Sequence, residues 1–145
     1  MSGHYPIYST GEHGGFRCLG RLDRLLRKQS VNAYFSGHEH NLQHIQLKIA
    51  NNYVGGTDNQ GSMNYIISGA ASRTDRSFKH ENDVPSDAIL LRDPKGWNPF
   101  SQMGFSNGRF IHVRIGNKEA RLNFYSGKGD RILYHTSINP RKTRK

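Results

Sequence analysis

The run Val31-Asn32-Ala33-Tyr34-Phe35-Ser36, followed by Gly37-His38-Glu39-His40-Asn41, constrains this chain more than any other stretch. Its first six residues are mostly apolar and rich in β-formers, which predicts a buried strand. Gly37 breaks that strand and opens a loop. Two histidines one residue apart point the same way wherever the chain stays extended. Imidazole is the commonest side-chain metal ligand, so such a pair makes half of a metal site. Ligand sites in α/β sheets gather at the carboxyl ends of strands, and this pair falls at such an end.

With 145 residues the chain has the length of one domain, and 34% apolar content with 16 glycines predicts a small core among many loops. No stretch approaches the apolar length of a membrane span. The start, Met-Ser-Gly-His-Tyr-Pro, lacks the basic and apolar regions of a signal peptide. A formal charge of +10, from 21 Lys+Arg against 11 Asp+Glu, favours anionic partners. Part of that excess is the tail Arg141, Lys142, Arg144 and Lys145, read as a solvated end. Cys18 is the only cysteine, so no disulfide forms within the chain.

Along the chain, Ser9 to Phe16 is a Gly-rich loop carrying Glu12 and His13. A helix is predicted from about Arg17 to Gln29, with Leu19, Leu22, Leu25 and Leu26 on one stripe and the basic residues mostly on solvated faces. His44 to Ile49 alternates and predicts a half-exposed strand. Asn51 to Ser62 is turn-rich, and Asn64 to Ala70 is a second buried strand. Residues 72–104 are polar and weakly patterned, with Arg73 to Pro85 the expected mobile part and Trp97, Phe100 and Phe105 expected to pack as satellites of the core. Three alternating runs then predict an antiparallel meander: Phe110–Ile115, Ala120–Tyr125 and Ile132–Ile138, joined by turns at Gly116-Asn117 and Gly127-Lys128-Gly129-Asp130.

Three elements stand out in order: Gly-His-Tyr-Pro at 3–6, Glu12-His13-Gly14, and Gly-His-Glu-His-Asn at 37–41. Together they resemble the C-terminal half of the purple acid phosphatase family, nearest its tartrate-resistant branch. The likeness runs nearly end to end, through the helix after the Glu-His-Gly loop, Ser68-Gly69-Ala70, and Gly104-Phe105 before the meander. The implied fold class is α/β: the C-terminal half of a calcineurin-like metallophosphoesterase, a layered β-sandwich flanked by helices and ending in the meander. Residues 1–138 are expected to form that part of the domain, and residues 139–145 a basic tail.

The resemblance implies roles. His4 and His38 ligate the divalent metal of a binuclear centre, and His40 the ferric iron; the divalent ion is iron, zinc or manganese. Glu12 and His13 lie beside the substrate phosphate as catalytic residues, with His13 the candidate proton donor. Asn41 supports the loop behind the ligands. His44, His80, His112 and His135 match nothing catalytic. The implied activity is acid hydrolysis of phosphate monoesters, on phosphorylated small molecules or phosphoproteins. Unaided, that reaction is very slow, and two cations serve it by holding phosphate oxygens and lowering the pKa of bound water.

The pattern also has gaps. The upstream half of the family's fold supplies an aspartate, a bridging aspartate with a nearby tyrosine, and an Asn-His pair, and those motifs are not in this sequence. The chain is therefore expected to be inactive or nearly so without an upstream half, which is its implied partner. Met1 is expected to be an internal methionine or the product of an incomplete gene model, and Cys18 to match a cysteine that pairs with that half. A signal peptide on the parent chain would make the protein secreted or lysosomal. Two rival functions remain: a related calcineurin-like phosphodiesterase or nucleotidase, and a non-enzymatic basic module binding nucleic acid or an acidic partner. Nucleic acid is the less expected partner, because no stacking motif accompanies the charge.

Overall fold

The computed structural model describes residues 1–48, 62–96, 108–127 and 131–140. Outside them lie the calls on Ile49, the turn-rich stretch before Ser62, Trp97, Phe100, Phe105, the Gly104-Phe105 start, Lys128 to Asp130 and the basic tail from Arg141. A single-turn 3-10 helix, Arg17–Leu19, leads into helix α1, Gly20–Lys28. Among the described residues seven strands follow: β1 Ala33–Ser36, β2 Leu42–Lys48, β3 Ser62–Ser68, β4 Ile89–Asp93, β5 Arg109–Ile115, β6 Ala120–Ser126 and β7 Ile132–Ile138.

Helix α1 carries Asp23 in its first turn and Arg27 and Lys28 in its last, matching the sign of the helix dipole at both ends. It stops in a Schellman arrangement. Ser30 adopts φ 54°, Ser30 N–H bonds to Arg27 O at 3.1 Å, and Val31 N–H bonds to Leu26 O at 2.9 Å. Leu26 is buried and Leu19 and Leu22 are half-buried, but Leu25, expected on the same stripe, is exposed. One short helix lying on a sheet buries a narrow stripe, and Leu25 falls past its edge.

The first sheet has the order β1-β3-β2-β4, with β1 parallel to β3 and the other pairs antiparallel. The N-terminal residues extend it beyond β1. Phe35 N–H bonds to Met1 O at 3.0 Å, Gly3 N–H to Phe35 O at 2.9 Å, and Gly37 N–H to His4 O at 3.1 Å. The second sheet, β5-β6-β7, is the expected antiparallel meander.

Strand alternation gives the first sheet two apolar faces. One packs Tyr34, Ile45, Met63 and Tyr65 against Ile7, Leu26, Val84 and Ala88. The other packs Leu42 and Ile66 against Leu122, Phe124 and Ile138 of the second sheet. The result is a layered α/β architecture of helix, sheet and sheet, and each fully buried aliphatic or aromatic side chain contributes about 1.5–3 kcal/mol.

Three expectations change. Strand β2 begins earlier than expected, at Leu42, and is buried through His44 and Ile45, because β3 and β4 flank it and layers cover both faces; Gln46 to Lys48 are half-buried to exposed as expected. Within the span read as loop, Ile89–Asp93 is a strand, completing the sheet edge beside β2. Arg27 does not join a solvated face: its Nε bonds Asp23 at 3.0–3.1 Å and an Nη bonds the Tyr65 hydroxyl at 2.7 Å. The span from Arg73 to Pro85 carries its own anchors. Asp75 N–H bonds to His40 O at 2.7 Å, and Ser77 N–H to Asp75 Oδ1 at 2.8 Å. Among the described residues no helix is long and apolar enough to cross a membrane.

Candidate functional site

The N-terminal segment, β1 and β3 run parallel, so their carboxyl ends share one rim of the sheet. His4 ends the first, Gly37 the second, and Ser68-Gly69 the third. This convergence brings His4 and His38 together although they are remote in sequence. His4 Nε2 lies 3.3 Å from His38 Nδ1. Two nitrogens bound to one tetrahedral zinc at about 2.0–2.1 Å sit roughly 3.3–3.4 Å apart, so the spacing serves a hydrogen bond between the rings or two ligands on one ion.

His38 has φ 63°, the left-handed region, which for a residue with a Cβ stores about 1–3 kcal/mol of strain. Four rings surround its imidazole, those of His4, Tyr5, His13 and Phe16, at centroid distances of 4.7–5.2 Å. Burial among them, then the neighbouring charges of His13, His4 and His40, push the His38 pKa down, against the opposing pull of Glu39. The lowered pKa favours the neutral ring, the state in which an imidazole nitrogen ligates.

His13 comes from the Gly-rich loop and stands beside His38, 4.7 Å between ring centroids. Glu12 turns outward, its Oε1 3.4 Å from Lys79 Nζ. A hydrogen bond from Ser77 first, and the Lys79 ammonium after it, hold the Glu12 carboxyl below the usual range. Asn41 is fully buried, and its Oδ1 accepts from Gln43 Nε2 at 2.8 Å. Gln43 also reaches the Gly-rich loop: its Nε2 donates to Ser9 Oγ at 3.0 Å, and its Oε1 accepts from Thr10 N–H at 3.0 Å. His40 is half-buried and offers its carbonyl to Asp75.

The structure thus gathers His4, His38 and His13. Among the described residues, no three His, Cys, Asp or Glu side chains converge closely enough to hold a metal ion, and His40 does not complete a triad. Two imidazoles fit half the shell of a single borderline ion such as zinc. They do not fit a ferric–divalent pair, for which the resemblance implies a bridging carboxylate. The carboxylate of this loop, Glu39, is engaged elsewhere. It is fully buried, and its Oε1 accepts from both His13 N–H and Gly14 N–H at 2.9 Å. Sequence reasoning gave Glu39 no role. No local pattern signalled it, because His38 turns through φ 63° and the loop is not extended, so alternation does not apply.

Gly69 completes the rim. A Cβ there would collide with the Glu39 carbonyl, and Gly69 N–H donates to Asn41 O at 3.2 Å. Only a glycine lets β3 end this close to the histidine loop.

No family model matches the chain. Its sequence is 36% identical over 145 residues to rat tartrate-resistant acid phosphatase type 5, covering 99% of this chain and 38% of that protein. Among solved structures, the purple acid phosphatase PPD1 of yellow lupin seeds superposes with TM-score 0.63 at 16% identity, over 95% of this chain and 24% of that one. GAP50, described as the anchor in the inner membrane complex of Plasmodium, superposes with TM-score 0.63 at 24% identity, over 98% of this chain and 36% of that one. The chain spans 38% of the length of the rat relative it matches. Along nearly its whole length, then, the chain is similar to tartrate-resistant acid phosphatase type 5, and it has the fold of part of a purple acid phosphatase, that of the calcineurin-like metallophosphoesterases.

Proposed function

We propose that the chain is the C-terminal part of a metal-dependent acid phosphatase that hydrolyses phosphate monoesters. Residues 1–138 form this part of the domain, and the remainder is a basic tail. The observation that carries the reading is the meeting of His4, His38 and His13 at one strand-end rim, in a chain similar across 99% of its length to a tartrate-resistant acid phosphatase. In this reading His4 and His38 are nitrogen ligands of one metal and His40 of another, and an upstream part of the fold supplies the oxygen donors. His13 hands a proton to the departing alkoxide, and Glu12 holds Lys79 at the rim. The substrates are phosphorylated small molecules or phosphoproteins, and the setting is secretory or lysosomal.

The test is hydrolysis of p-nitrophenyl phosphate between pH 4 and 7 by the polypeptide isolated from its source, with its metal content measured on the same sample. Expected are monoesterase activity abolished by chelation and by His4→Ala, and monoester rates well above diester rates. A metal-loaded protein with no such activity sinks the reading. Faster diester cleavage would favour the related phosphodiesterase.

A second reading has two observations in its favour. A structure matched at the same TM-score is described as an anchor, and among the described residues no three His, Cys, Asp or Glu side chains could hold a metal ion. In that reading the chain keeps the fold as a binding module, with its +10 charge directed at an acidic partner. It predicts unchanged partner binding in His4→Ala and a steep loss of binding with salt.

A further inference from the structure

Glu39 sits between two candidate ligands yet faces away from them, and it has no exposed surface. Burying a carboxylate is costly unless hydrogen bonds offset its lost hydration, and here they reach one oxygen, Oε1, while Oε2 has no hydrogen-bond partner among the described residues. Here Oε1 accepts two successive backbone N–H groups, those of His13 and Gly14, at 2.9 Å each. Successive amides converge on one anion when the chain turns through a left-handed residue, and Gly14 has φ 71°. A larger residue there would be strained by the positive φ, and its Cβ would lie 2.7 Å from the His80 ring, which would have to shift. Oε2 lies 3.5 Å from His13 Nδ1 and abuts Gly11, where a Cβ would strike it. The carboxylate is therefore wedged into the 11–14 loop from the protein side. Its own backbone is locked in turn: Glu39 N–H bonds to Gly37 O and Asn41 N–H to Glu39 O, both at 2.8 Å, and Gly69 packs on its carbonyl.

We infer that Glu39 is a positioning residue: its carboxylate pins the Glu12-His13-Gly14 loop to the histidine loop and so holds the His13 ring beside His38. The inference deepens the phosphatase reading and rests on it for its chemical purpose. A proton donor must keep a fixed place relative to the phosphate, and His13 reaches its place through Glu39 rather than through any bond of its own ring to His38. The pinning itself can be read without turnover.

The experiment compares Glu39→Gln with Glu39→Met in the whole chain. The two replacements have similar volume, but only glutamine keeps an acceptor oxygen. Amide exchange at His13 and Gly14 and the ring-to-ring nuclear Overhauser contact between His13 and His38 are the readouts. Glu39→Met should speed exchange at those two amides by about tenfold or more and erase the ring contact, while β2 and β3 amides stay protected. Glu39→Gln should retain most of the protection and the ring contact. Equal loss in both variants, or protection unchanged in Glu39→Met, overturns the inference. Should Glu39→Met not fold, the unmodified protein decides: scalar couplings across the hydrogen bonds, from the His13 and Gly14 nitrogens to the Glu39 carboxyl carbon, are expected, and their absence overturns it. Intact pinning without phosphatase activity would sink only the phosphatase reading, and activity with the pinning absent would sink only this one.

Discussion

The Nδ1 of His44 lies 3.2 Å from the Tyr134 hydroxyl, and this contact ties the two sheets together across their shared core. His44 is buried, stacks on Phe124 with rings 14° from parallel, and places Nε2 2.8 Å from Asn64 Oδ1. Asn64 directs its amide nitrogen to Asn32 O at 3.0 Å, so its oxygen faces the ring, Nε2–H donates to it, and Nδ1 accepts from Tyr134. The imidazole is a neutral linker.

Burial lowers the His44 pKa, against the smaller opposing pull of the Asn64 hydrogen bond. The unfolded chain, with an ordinary histidine pKa of about 6.5, then binds the proton more readily than the native protein. Stability from this group is complete above about pH 6.5 and is lost as pH falls from there toward the depressed native pKa. His44→Gln should flatten that part of a Tm-versus-pH curve, and His44→Ala should cost about 2–3 kcal/mol at pH 7.5 by orphaning Tyr134 and leaving space beside Phe124. Thermal unfolding from pH 4.5 to 8 checks both.

Helix α1 is fastened by charge as well as by leucines. Asp23 accepts from Arg27 Nε, from the Tyr8 hydroxyl at 3.2 Å and from the Tyr65 hydroxyl. The Tyr65 phenol, desolvated and bonded to that carboxylate, is pushed far above its ordinary pKa and stays a donor. Removing Asp23 leaves Arg27 and two hydroxyls buried without their acceptor. Asp23→Ala should destabilise by about 3–5 kcal/mol, and Tyr65→Phe by only about 1–2 kcal/mol, seen as shifts in urea midpoint at constant slope.

The spacing of His4 and His38 predicts one weak zinc site in this chain. His4→Ala and His38→Ala should each lower zinc affinity by about tenfold or more, and His40→Ala should leave it nearly unchanged. Isothermal titration of the three variants decides the matter. Equal losses in all three would mean that His40 completes the shell.

Gly69→Ala tests the tight junction of β3 with the histidine loop. The added methyl meets the Glu39 carbonyl, backbone against backbone, so relief requires moving the loop. A loss of about 1–3 kcal/mol in unfolding free energy is expected, with weakened zinc binding, because the same loop carries His38.

Lys79→Ala serves as the mild counterpart. Its ion pair with Glu12 spans 3.4 Å between two well-exposed side chains. Such pairs contribute about 0–1 kcal/mol, so the melting temperature should barely move.

Local pattern was a good guide wherever one face met water and the other met core. The alternating runs of β5, β6 and β7 appear within a residue of their expected bounds, because period-2 alternation is written in each strand separately. It failed where burial is two-sided or partial. Strand β2 carries Gln43 and His44 in the interior, paired there with Asn41, Ser9, Thr10 and Asn64, and alternation cannot announce polar residues that find their partners inside. Strand β4 hid in a polar span, since its place at the sheet edge depends on pairing with β2.

Sequence by itself determined the residue types available to the site and their local setting: imidazoles at 4, 13, 38 and 40, a strand before the His-x-His pair, and a glycine to end it. Tertiary structure decided which of them meet. Parallel alignment of the N-terminal segment with β1 carries His4 to His38, and the buried carboxylate of Glu39 binds the loop whose His13 ring stands beside His38. The physical reason is range. Side-chain periodicity is set by neighbours a few residues away, whereas strand order, register and the partner of a buried charge are set by contacts between segments that the local pattern does not connect.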